Sequence, residues 1–402
     1  MLANRPPAPS SPPGSPPAGP MQAATHRSPV TLQDLLDDLL WPQLLKSWKL
    51  ALAPGRVALC FIAVLVIGAL WAVTKSATGQ DTLGGLWLGI VRDFRSIIGV
   101  FSGPEAATLA VYSLFIETPA DFVRQHPVVA LAVIPAILFV WCMVGGAVCR
   151  SCACEVALRA ALPWRQAIGF GLKKSLALFA ALAGPLLLVW GACLLLRVMG
   201  LALFTTKALG LLGGATFIAP LLLCLIISVA LFAYLLAHSL LIPAVACEGT
   251  DSFDAVQRCY AYALARPGRL VGYTIISVFS VIPAMVIVGV IVAFAIIAAA
   301  ALTGAPLAGP DAVFPEPFRP GGGEHLGFAR WMVRAWTVLF VSVGLAYFVS
   351  LYFCAATNLY LVIRRLVDGQ DISEIWVPQS APVPTAQQAA TPIPVPEKAD
   401  YT

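Results

Sequence analysis

Six stretches of this chain are each apolar enough, and all but the first comfortably long enough, to cross a bilayer. They lie at about 57–73, 128–148, 175–196, 215–246, 270–302 and 335–363. A spanning helix needs roughly 20 mostly apolar residues at about 1.5 Å each. In hydrocarbon every backbone N–H and C=O has to be satisfied within the segment. A soluble core fails on composition, because the 402 residues are 59% hydrophobic and only 11% charged. Soluble domains carry about 25% charged residues, and a globule must still present a wetted exterior. The chain is therefore expected to be all-α, an integral membrane bundle of six transmembrane helices with amphipathic surface helices on both sides.

The remaining segments set the domain organisation. Residues 1–30 are rich in Pro, Ser and Ala and lack the apolar region of a secretory signal. Such a composition cannot bury enough surface to fold, which predicts a disordered tail. Residues 378–402, rich in Pro and Ala, predict a second tail, leaving 31–377 as the membrane domain.

Basic residues predict the orientation. With the N-terminus taken as cytoplasmic, that side collects sixteen of the 25 Lys and Arg residues. The bias is clearest where Lys173-Lys174 and Arg364-Arg365 abut the third and sixth spans. Both termini are expected inside. On the outer side, Trp87, Ile90, Val91, Phe94, Ile97, Ile98 and Phe101 recur at helical spacing, which predicts an amphipathic helix. A second helix is expected near Pro104–Glu117, and an irregular loop at 303–324.

Three inner stretches resemble one another, and each feeds an odd-numbered span. The first runs Trp41 to Arg56, and the third runs Phe253 to Arg269. Both have an aromatic start, an Ala-Leu-Ala step and a terminal Pro-Gly-Arg. The second, Trp164 to Lys174, is shorter and lacks the Pro-Gly. Periodicity places Trp41, Leu44, Leu45 and Trp48 on one face, and likewise Phe253, Val256 and Tyr260. Asp251 with Asp254, and Thr31 with Asp34, have the spacing of N-terminal caps. The expectation is an internal repeat: a surface helix plus a helical pair, three times over. Its basic residues (Lys46, Lys49, Arg56, Lys173, Lys174, Arg258, Arg269, Arg364, Arg365) are expected to face lipid phosphates or a partner.

The run from Cys247 to Tyr262, with Ala265-Arg-Pro-Gly-Arg269 after it, resembles a loop in an uncharacterised family of bacterial polytopic membrane proteins. The stretch Thr357 to Glu374 looks like that family's end of the last span. The loop pattern is more loosely similar to the membrane domain attached to some glycerophosphodiester phosphodiesterases. The resemblance implies a six-span fold in a bacterial cytoplasmic membrane and no particular chemistry. No phosphodiesterase catalytic domain follows.

Candidate chemistry is sparse. Cys149, Cys152 and Cys154 form the one dense thiol cluster, but they lack a neighbouring His and the paired spacing of a zinc site. Small apolar Cys at a helix end is the better reading, and no metal or cofactor is expected. His238 is the titratable side chain well inside a span, which makes it a functional candidate. Hydrogen bonding to a neighbouring helix would equally account for it. No Asp or Glu falls inside the six apolar stretches, which argues against ion-coupled carriers. Pro135, Pro185, Pro220, Pro243 and Pro283 interrupt the spans as kinks or as breaks around a site. Catalytic motifs are missing, and no dense basic stripe suits nucleic acid. Glu248, Asp251 and Asp254 read as a helix cap with compensating charges.

These residues point to a non-enzymatic membrane protein of structural, scaffold or assembly type. Its partners would be membrane lipids and other membrane or cytoplasmic proteins. The alternative is a transporter or channel for an apolar or amphipathic solute, working through helices four and five with His238.

Overall fold

The computed structural model describes residues 41–98, 103–160, 162–304 and 327–376. Every regular element among them is helical. Two short helices, α1 (Trp41–Leu44) and α2 (Ser47–Ala51), lead into the first span, α3 (Pro54–Thr78). Helices α4 (Thr82–Ile98), α5 (Pro104–Tyr112) and α6 (Thr118–Gln125) follow on the far side. The second span includes α7 (Ile134–Leu158). Then come α8 (Trp164–Lys173), the third span α9 (Ser175–Leu203) and a short α10 (Lys207–Ala215). The fourth span is α11 (Ile218–Glu248), followed by α12 (Ser252–Ala265), the fifth span α13 (Pro267–Gly304) and the sixth span α14 (Gly327–Asp368). Six of these helices are long and apolar enough to cross a membrane, which makes this a multi-pass membrane architecture. The predicted tails, the Thr31/Asp34 cap and the loop at 303–324 lie outside the described residues, apart from Thr303 and Gly304 at the end of α13.

The helices outrun their apolar stretches. The second runs on to Leu158 and carries Cys149-Arg-Ser-Cys152 in its packed interior instead of at its end. The helical ladder does not stop where hydrophobicity drops, because the polar residues there find partners in neighbouring helices. The expectation of carboxylate-free spans is corrected accordingly, since Glu155 and Glu248 both sit on spanning helices. The prolines do not break them: α9, α11 and α13 run through Pro185, Pro243 and Pro283. Two π turns, Ser113–Glu117 and Val129–Val133, directly precede Thr118-Pro119 and Ile134-Pro135. Proline cannot donate to the ladder, and a wide turn just ahead of it absorbs the mismatch.

The second, fourth and sixth spans pack against one another as an inner group. The first lies against the sixth and second, the third against the second and fourth, and the fifth chiefly against the sixth. Half of the sixth span's most apolar window is buried, against 6% for the third and fifth, whose leucines and isoleucines face outward.

Each short helix on the near side, where the chain enters its first span, packs on an inner span: α2 on the sixth, α8 on the second and α12 on the fourth. Of the residues expected to share one face at the entry to the first span, Leu44 is buried, whereas Leu45 and Trp48 are exposed. The bulky residues Leu45, Trp48, Trp164 and Phe253 are exposed, whereas Ser47, Ala51, Ala167, Gly171, Ala255, Cys259 and Ala263 are buried. Lipid tails are as apolar as leucine, so burying bulk gains little there, and small residues permit close helix contact. A Cβ on Gly171 would stand 2.5 Å from the Met143 carbonyl oxygen.

The far side is arranged likewise. On α4, Trp87, Leu88, Val91 and Phe94 are exposed while Asp93 is buried. Its carboxylate accepts hydrogen bonds from Thr118 (2.8 Å), Ser113 (2.9 Å) and Arg92 (3.1 Å), tying α4 to the π turn and to α6. Burial pushes this carboxyl up, but those donors outweigh it and hold Asp93 below the usual carboxylate range.

Candidate functional site

Three arginines lie almost fully buried at the near ends of the spans: Arg56 (2% exposed), Arg150 (4%) and Arg364 (1%). An unpaired charge at such a position is costly, so the partners of each are the question.

Arg56 sits in the first turn of α3, just after Pro54-Gly55. It forms an ion pair with Glu155 of the second span. Its Nε donates to Ser151 Oγ at 3.1 Å, and Nη1 donates to the Leu50 carbonyl. Beside it, Ser350 Oγ donates to the Ala51 carbonyl (2.9 Å), and Asn358 Nδ2 donates to Ser47 Oγ (2.7 Å). The entry to the first span is thus sewn to the sixth.

Arg364, near the end of the sixth span, donates to Glu248 at 2.8 Å. It also donates to the main-chain carbonyls of Asp371 (2.9 Å) and Glu374. Glu248 accepts a further bond from Tyr360 (3.0 Å) and pairs with Arg258 of α12 at 3.3 Å. Burial works against the Arg258 charge, yet the adjacent carboxylate wins and raises its affinity for its proton. Tyr262 of α12 donates to Asp368.

Arg150 has no carboxylate. It donates to the carbonyls of Ala246 (3.1 Å) and Trp376, and its guanidinium lies 5.4 Å from the ring centres of both Phe170 and Trp376. Ala246 belongs to the last turn of α11, where helix carbonyls lack internal partners and carry the negative end of the dipole. The chain after α14 returns to this point: the Trp376 N–H donates to the Cys247 carbonyl at 2.9 Å. The Trp376 ring rests on Gly249, whose φ of +64° closes the helix.

Cys149 and Cys152 share a face, making weak contacts with the Phe353 (3.8 Å) and Cys354 (4.0 Å) carbonyls of the sixth span. Among the described residues, no group of His, Cys, Asp and Glu is arranged to hold a metal ion. His238 faces outward on the fourth span. Its Nδ1–H donates to the Leu235 carbonyl of its own helix at 2.8 Å, not to a neighbouring helix.

The structure divides the predicted basic set. Lys46, Lys49, Lys173, Arg269 and Arg365 are exposed. Lys174 is partly buried, 3.7 Å from Asp251, and Arg258 is tied to Glu248. Arg56 and Arg364 are corrections: both are turned inward, because an inner carboxylate and unpaired carbonyls offer them better partners than lipid phosphate. Asp251 occupies the N-cap position of α12 but makes no capping hydrogen bond. Glu248 is an internal counter-ion. Sequence reasoning missed Arg150, Glu155 and Trp376. A usable signal was present, because charged residues embedded in apolar helical runs recur near the ends of all three inner spans.

No protein-family model matches the chain, nor does any curated protein or solved structure.

Proposed function

We propose that this chain is a structural membrane protein, a scaffold or assembly partner without catalytic activity, built from three related units. The observation that carries this reading is the consumption of its buried polar groups. Apart from Arg364 Nε, which has no partner among the described residues, Arg56, Arg150, Glu155, Glu248 and Arg364 spend their hydrogen bonds on one another, on Ser151 and Tyr360 and on main-chain carbonyls, cross-linking helices in place of facing a solute. The outward cations Lys46, Lys49, Lys173, Arg269 and Arg365 are left to engage lipid phosphates or a partner. The recurring placement of a short helix on each inner span supports the three-unit reading. The bias of basic residues supports a near side that is cytoplasmic, in a bacterial inner membrane.

The test is photo-crosslinking from Lys49 and Lys173 positions in cells, followed by identification of attached proteins. Reproducible capture of one protein is expected, lost when the other exposed cations Lys46, Arg269 and Arg365 are changed to Glu. Attachment to lipid alone would overturn the assembly role. Labelling of Lys173→Cys from outside the cell would overturn the orientation.

A second reading, transport of an apolar or amphipathic solute, is favoured by one feature. A groove of about 290 Å³ between the fourth, fifth and sixth spans is lined by Ser239, Thr274, Ser277 and Tyr352 among apolar residues. Flux of an amphipathic probe into proteoliposomes, abolished by Ser277→Leu, would favour it over the scaffold.

A further inference from the structure

Arg197 poses a problem that the near-side network does not solve. It lies on the third span within Leu194-Leu-Leu-Arg-Val198, six residues before the helix ends at Leu203. At about 1.5 Å per residue it sits roughly 9 Å below that end. It is exposed, and among the described residues no ion pair or hydrogen bond to it is found. A charge on the exposed face of a spanning helix calls for a counter-charge or a route to the interface.

The adjoining surface supplies a place for one. An apolar groove of about 330 Å³ runs between α6 and the third span, with Pro119, Val123, Trp190 and Leu194 in its walls and both Arg124 and Arg197 on its lining. Its deeper wall is fixed, because Trp190 Nε1 donates to the Phe115 carbonyl at 2.7 Å. Arg124 leans on Asp121 at 3.3 Å in an exposed pair, and such a contact is worth little. Two guanidinium groups on an apolar groove match an amphiphile with an anionic head. The planar fork of arginine suits phosphate oxygens.

We propose that this groove is a binding site for an anionic phospholipid of the far-side leaflet. Its phosphate bridges Arg124 and Arg197, and an acyl chain lies along Trp190 and Leu194. The site is independent of the scaffold reading.

The test compares thermal unfolding of the full chain in nanodiscs of phosphatidylcholine and in the same discs containing phosphatidylglycerol. Wild type and the control Arg95→Gln are expected to gain stability from the anionic lipid. In the pair Arg124→Gln/Arg197→Gln the gain is at least halved, and Arg197→Lys retains more of it than Arg197→Gln. Should the pair fail to fold, the two single variants at Arg197 decide. An undiminished gain in the Gln variants overturns the site. An equal gain from soluble glycerol phosphate overturns the lipid as its occupant.

Discussion

Arg364 and Glu248 meet at 2.8 Å across the near ends of the sixth and fourth spans, the arginine 1% exposed and the glutamate side chain 16%. Tyr360 and Arg258 complete the shell around the same carboxylate. Removing the glutamate leaves a guanidinium with carbonyls but no counter-ion. Breaking a buried pair from one side costs about 3–5 kcal/mol. Glu248→Ala is therefore expected to lower the unfolding midpoint sharply in detergent. Glu248→Gln, which keeps an acceptor for Tyr360, loses less. Equal midpoints for Glu248→Ala and wild type would refute the pairing.

The near-side helices offer a sharper contrast within one element. Gly171→Ala aims a methyl group at the backbone oxygen of Met143, which cannot swing aside. The cost is expected at about 1–3 kcal/mol. A Cβ on Gly169, two residues earlier, would meet nothing within 4 Å. Gly169→Ala is expected to be neutral or stabilising by about 0.4–1 kcal/mol, through reduced freedom of the unfolded chain. Thermal melts of the two variants measured together test both.

Gly249 holds a left-handed φ and would place a Cβ 2.6 Å from the Trp376 ring. Gly249→Ala is expected to lose about 1–2 kcal/mol from backbone strain alone and to release the segment after Gly369 to protease. In a Trp376→Ala background the collision is gone, so the substitution costs less. That coupling is readable as a double-mutant cycle. Strict additivity would mean the ring does not rest there.

On the far side, the depressed Asp93 carboxyl sets an acid limit. A group with a lowered folded pKa stabilises above its unfolded value, about 3.9. That contribution is lost as pH falls through the lower folded value. Loss of α4 packing is thus expected below about pH 4, followed by accessibility of a thiol placed at Leu83. Asp93→Asn should weaken the packing at neutral pH and flatten the acid dependence. An unchanged acid limb in Asp93→Asn would assign it elsewhere.

The helical class and the approximate placement of six spans were legible because hydrocarbon imposes length and apolarity on each segment separately. Helix ends were not, since the α7 ladder continues through Arg150 and Glu155 on contacts made by other spans. The shared spacing of Leu44, Leu45 and Trp48 did not tell which of them a neighbour would cover: Leu44 is buried, while Leu45 and Trp48 are exposed. Amphipathic periodicity locates a boundary between two environments, and in a bilayer the bulky side of Trp48, Trp164 and Phe253 belongs to the lipid. Arg56 and Arg364 looked like interfacial cations for a related reason: nothing local announces a partner roughly a hundred residues away. His238 was visible as unusual, but its bond to Leu235 lies within its own turn.

The sewing of the first span to the sixth carries a consequence for biogenesis. Ser350 and Asn358 reach Ala51 and Ser47 across 299 and 311 positions of sequence. During synthesis the first span must wait in the bilayer, its entry groups unmatched, until the sixth span has left the ribosome. Closure of that entry is therefore gated by the arrival of the sixth span. A lesion at Ser350 or Asn358 therefore loosens the entry to the first span as surely as the sixth.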